Sequence, residues 1–162
     1  MEIKPHQGAF VVQLTVNSLV EMFETMGYLE AACASLAARR HTAQDRIALA
    51  QRHAACVQAA EKGDPAVFYT ANAEFHEGIY KASNNNYLAT QTLNLRNRLE
   101  AYRRESTFHT GLMSVSITEH KEVLDAILAM DEARAASCMR HHLDTLRNDA
   151  VSMAMMLSTR FK

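Results

Sequence analysis

The sequence is poor in the residues that punctuate a chain. It has five Gly, two Pro and no Trp in 162 residues. The missing tryptophan excludes nothing. The scarcity of Gly and Pro, set against abundant Ala, Leu, Met, Glu and Arg, favours long helices joined by short turns. Nor is there an excess of positive charge: 17 Lys plus Arg stand against 18 Asp plus Glu, for a formal charge of -1. Domains that hold nucleic acid usually carry a basic patch or stripe, so this balance argues against DNA binding by these residues alone. The three cysteines, Cys33, Cys56 and Cys138, form no close pair and no CxxC. Each sits in an Ala-rich helical pattern and reads as a small buried apolar residue. No positive segment followed by an apolar run opens the chain, and no stretch approaches 18 apolar residues. The default expectation is a cytoplasmic protein with no membrane span.

What is present is helical periodicity. Residues 1–14 read as an extended lead-in containing the strand-like AFVV, and residues 15–162 as one helical domain. Leu19, Met22, Phe23, Met26 and Leu29 open a first amphipathic helix, with Asn17 or Ser18 as its cap. A second runs from about Thr42 to Ala60. Asp64–Pro65 is a strong start signal for a third, ending near Ser83. The polar run Asn84–Asn86 separates it from a fourth, about Tyr87 to Phe108. A fifth begins near Ser114 or Ser116, after Gly111, and a sixth follows Asp131 to about Leu157. The expected fold is all-α, an antiparallel bundle of six to seven helices.

The informative positions are polar residues inside apolar stripes. In the third helix Asn72 and His76 share the side of Phe68, Phe75 and Ile79. His120 falls in register with Ile117, Leu124 and Ile127, and His142 with Ala135, Met139 and Leu146, while His141 turns toward solvent. Buried imidazoles and amides need partners. Periodicity leaves two readings open: three imidazoles on one divalent cation, zinc, nickel or iron, with Asn72 as a weaker oxygen ligand, or a hydrogen-bonded core network. The fourth helix carries Arg96, Arg98, Arg103 and Arg104 beside Tyr102. A guanidinium turned inward would hold a carboxylate bidentately. Arg98 and Arg103, with Tyr102 beside them, are the candidates, and the sequence does not separate the two arginines. Glu74 and Glu77 fall on angles that suggest solvent or a salt bridge.

Four segments occur in an order and at separations that resemble a known family. They are LVEMFETMGYLEAACASLAARR (19–40), NAEFHEGIYKASNNNYL (72–88), EHKEVLDAI (119–127) and DEARAASCMRHHL (131–143). Together they resemble the C-terminal effector domain of GntR-type transcription regulators, FadR-like class, over about Val16 to Ala150. The resemblance implies a metal site at Asn72, His76, His120 and His142, with Asn72 where the family usually has an aspartate. It implies a small organic acid as effector and self-association as a homodimer. DNA would be touched only by a winged helix-turn-helix domain, whose last strand HQGAFVV at 6–12 resembles. The family's usual arginine on the first helix is replaced by the Met26–Gly27 region, so no role carries over there.

The expectation is therefore a ligand-sensing and dimerising domain with a divalent metal, zinc or nickel, and no enzymatic activity. A metal-dependent enzyme is the first rival, opposed by the absence of an HExxH or a nucleophile motif. A metal-free structural module is the second.

Overall fold

The computed structural model describes residues 15–109 and 111–160, so the reading of residues 1–14 lies outside the described residues. Among them are seven helices and no strand: α1 (Val16–Arg40), α2 (Ala43–Lys62), α3 (Pro65–Ala82), α4 (Asn86–Arg98), α5 (Glu100–Ser106), α6 (Leu112–Leu128) and α7 (Glu132–Arg160). No helix among the described residues is long and apolar enough to cross a membrane.

Local chemistry sets most boundaries. The Thr42 hydroxyl accepts from the Asp45 amide and the Asp45 carboxylate accepts from the Thr42 amide, a reciprocal cap on α2. Gly63 ends α2 at φ 67°, a left-handed conformation that favours glycine. The Asp64 carboxylate accepts from the amides of Ala66 and Val67, with Pro65 in the first turn of α3. Asn85 caps α4, and Asp131 accepts from the Arg134 amide at the start of α7.

Three expectations need correction. Thr15, not Asn17 or Ser18, caps α1, its side chain accepting from the Ser18 amide. The fourth helix is not continuous: Leu99, at φ -95° and ψ 3°, divides it into α4 and α5. Its side chain is fully buried, so tertiary packing outweighs an uninterrupted helical period. The fifth expected helix, α6, starts at Leu112 rather than at a serine, because Gly111 at φ 86° turns the chain immediately before it.

The long α1 lies against α7 over the greatest extent, α2 pairs with α3, and α6 with α7. Phe23, Met26, Phe68, Phe75, Ile79, Leu99, Val123, Ile127, Met139 and Leu143 fill the space between them. Buried Cys33, Ala34, Ala37 and Ala38 keep one face of α1 small. Cys33 and Cys56 are buried as expected, and burial pushes both thiols up to about 12. Cys138 is half-buried against the core.

Candidate functional site

The inward stripes of α3, α6 and α7 bring three histidines together. His76, His120 and His142 are all buried. Nε2 of His120 lies 3.2 Å from Nε2 of His76 and 3.3 Å from Nε2 of His142. One nitrogen from each ring falls within 4.8 Å of those of the other two. Phe75 packs at the edge of this group, its ring centroid 4.7 Å from that of His120.

Two carboxylates fix which nitrogens face one another. His76 Nδ1 meets Glu30 Oε2 at 2.5 Å and His142 Nδ1 meets Glu119 Oε2 at 2.7 Å. A carboxylate accepts, so each of these rings carries its proton on Nδ1 and presents a lone pair at Nε2. With all three rings neutral, His120 has one Nε2 position to offer and can donate to only one neighbour. One of the two short contacts is then lone pair against lone pair. A shared cation removes that conflict. Two tetrahedral nitrogens at a Zn–N distance of about 2.0–2.1 Å sit roughly 3.3–3.4 Å apart, close to the spacing found. The donor set fits a divalent metal of imidazole preference.

Electrostatics keeps His76 and His120 in the ligating form. Burial, outweighing the adjacent Glu30, drives the His76 pKa down to about 3. Burial, then the neighbouring imidazoles, pushes His120 well below the usual histidine range. Burial alone would raise the Glu30 carboxyl, but His76 and Arg103 hold it well below the usual carboxylate range. Glu119 is also lowered, its burial offset by His142 and by the Thr145 hydroxyl, which donates to it at 2.8 Å.

Asn72 is buried one turn before His76. With Arg103 and His142 it lines a cavity closed by Phe68, Leu112, Met113 and Leu146, with about 10 Å³ open to the centre of a water-sized sphere. That is room for about one water. Arg103 is fully buried and donates through Nη1 to Glu30 Oε1 at 3.2 Å. Arg98 is exposed, and so stands outside the buried cluster, while Tyr102 is half-buried against the core. His141, Glu74 and Glu77 are exposed, as their helical angles indicated.

Sequence reasoning missed Glu30 and Glu119 and did not single out Arg96 among the arginines; all three are buried. The signal was present for two of them. Buried Leu19, Phe23, Met26, Glu30, Cys33 and Ala37 recur at spacings of three and four, as do Thr92, Arg96, Leu99, Arg103 and Ser106. A charged residue inside such a stripe marks a buried polar cluster.

Comparison with known proteins agrees with this architecture. The FCD domain family model matches residues 21–145. Among solved structures the chain is similar to E. coli McbR/YncC, with TM-score 0.77 and 23% identity over 96% of this chain and 73% of that one. It is also similar to Streptococcus agalactiae GntR, with TM-score 0.69 and 23% identity over 86% of this chain. The chain spans 63% of that streptococcal protein's length. No curated protein matches by sequence. With the helical architecture and the family match together, the chain belongs to the FCD family, the all-helical, non-enzymatic effector-binding domain of GntR-type transcription regulators.

Proposed function

We propose that this domain binds a divalent metal, zinc or nickel, through His76, His120 and His142, with Asn72 as a weaker oxygen ligand, and senses a small organic acid in the adjoining cavity. The convergence of three Nε2 atoms at 3.2 and 3.3 Å carries the reading. The bound metal would supply a Lewis-acidic position for an effector carboxylate, and Arg103 in the cavity wall a second point of attachment. The Asn72 oxygen is neutral, so metal affinity should depend more on the effector than it would with a carboxylate there.

In the intact cytoplasmic regulator, two copies pair as a homodimer and present two DNA-binding domains to a two-fold operator. Effector binding shifts the balance between two arrangements of the bundle, and with it operator affinity. Metal analysis of the purified protein tests the core of this reading. Wild type should carry about one ion per chain, while His76→Ala and His142→Ala lose it with their helical signal retained.

One observation favours a second reading, a metal-free histidine network: at 3.2 Å, Nε2 of His120 lies within hydrogen-bond reach of Nε2 of His76. The same experiment decides, because in that case the metal content of wild type and both variants would be equally low.

A further inference from the structure

Each clustered imidazole has two nitrogens to satisfy, and the bundle treats one ring differently from the other two. His76 Nδ1 donates to Glu30 and His142 Nδ1 to Glu119. Both carboxylates are held in turn, Glu30 by Arg103 Nη1 at 3.2 Å and Glu119 by the Thr145 hydroxyl at 2.8 Å. Those two rings are thereby locked with the proton on Nδ1. His120 has no such backing. Its ring is fully buried, and its Nδ1 meets no hydrogen-bond partner among the described residues. Phe75 packs against the ring, and a phenyl group offers no oxygen or nitrogen to an N–H. At Nε2, by contrast, two acceptors are in reach, Nε2 of His76 at 3.2 Å and Nε2 of His142 at 3.3 Å. Burial keeps the His120 ring neutral, so it carries a single ring proton. Folded proteins leave a buried N–H without an acceptor more rarely than a lone pair without a donor, and this places the proton on Nε2.

We propose that His120 is the tautomeric switch of the cluster, with its proton on Nε2 while the site holds no ion and on Nδ1 once Nε2 binds a cation. The second half rests on the metal reading above; the first does not. The ring stays neutral throughout: one proton leaves Nε2 for water, one is taken up at Nδ1, and the freed lone pair at Nε2 goes to the metal. Without the ion, the Nε2–H bridges from α6 to His76 on α3 or His142 on α7. With it, coordination replaces that bridge and strands an N–H at Nδ1. A ligating histidine ordinarily has its second nitrogen bonded, and loss of such a partner typically costs about 10–100-fold in metal affinity. His120 is therefore the ligand that the cluster gives up first.

The test is a two-bond proton–nitrogen correlation spectrum of the chain with isotope-labelled imidazoles, which shows which nitrogen of each ring carries the proton. Spectra are taken after a chelator has stripped the chain and again after zinc is added, with zinc content and circular dichroism recorded on every sample. His120→Gln identifies the ring; if that variant does not fold, the close approach of the His120 ring to Phe75 identifies it in wild type. In the stripped chain His76 and His142 should carry the proton on Nδ1, and His120 on Nε2. With zinc bound, His120 should reverse to Nδ1 while the other two keep theirs. A proton on Nδ1 of His120 in the stripped chain, alone or together with one on Nε2, overturns the switch. So does bound zinc that leaves Nε2 of His120 protonated. The expected stripped pattern in a chain that takes up no zinc would instead defeat the metal reading and support the Nε2–H bridge.

Discussion

Replacing Glu30 with glutamine tests the electrostatic logic of the interior most directly. Glutamine keeps the volume, and its carbonyl oxygen can still accept from His76 Nδ1. Its amide, however, would point donors at Arg103 Nη1, which now finds an acceptor 3.2 Å away. The substitution leaves two buried guanidiniums without their shared carboxylate. Breaking one side of a buried pair typically costs about 3–5 kcal/mol, mostly because the remaining charge is stranded. For a chain of this size each kcal/mol moves the melting temperature by about 2–4 °C, so Glu30→Gln should lower it by roughly 6–20 °C. Chemical denaturation of metal-free protein, read by circular dichroism, gives the free energy without interference from bound ions. Adding Arg103→Gln to Glu30→Gln should recover part of the loss, since the stranded cation is then gone. A Glu30→Gln chain less than about 1 kcal/mol below wild type would refute the claim that Glu30 is the counter-charge of this cluster.

Three further outcomes follow from the same structure. His76 is neutral down to about pH 3 when folded but protonates near 6.5 when unfolded. The unfolded chain therefore binds more protons across that window, and stability should fall as pH drops from about 6.5 toward 3. Denaturation midpoints across that range should fall less steeply in His76→Gln than in wild type, with the contribution of His120 remaining. Phe75→Ala opens a void beside three imidazole-bearing side chains, His53, His76 and His120, and should cost about 3–5 kcal/mol in denaturant titrations. Thr42→Ala removes the hydroxyl half of the reciprocal cap on α2 and should cost about 1 kcal/mol by the same measurement, with metal content unchanged.

Much of the fold could be read from the sequence because its boundaries rest on local chemistry. Asp64–Pro65 and Thr42 cap the helices they were expected to cap. The division at Leu99 was not readable, since the residues on either side keep a helical period and the break answers to the burial of one side chain. At the site, periodicity placed His76, His120 and His142 inward and left Arg98 and Arg103 unresolved. The structure buries Arg103 and exposes Arg98. On α1 the apolar stripe was traced through Leu29, which is only half-buried, and this hid the carboxylate at the next position. Glu30 becomes intelligible only once α3 and α5 are brought to it, because its partners lie 46 and 73 residues along the chain.

The spacing of the three imidazoles along the chain has a consequence of its own. His76 and His120 are 44 residues apart and His120 and His142 are 22 apart, so no single hairpin can assemble the trio. Closing both loops carries an entropic cost that grows slowly with their length, and in the disordered chain nothing repays it. The cluster thus comes into being only with the finished tertiary structure, and any probe of imidazole proximity doubles as a gauge of whether the whole bundle has formed.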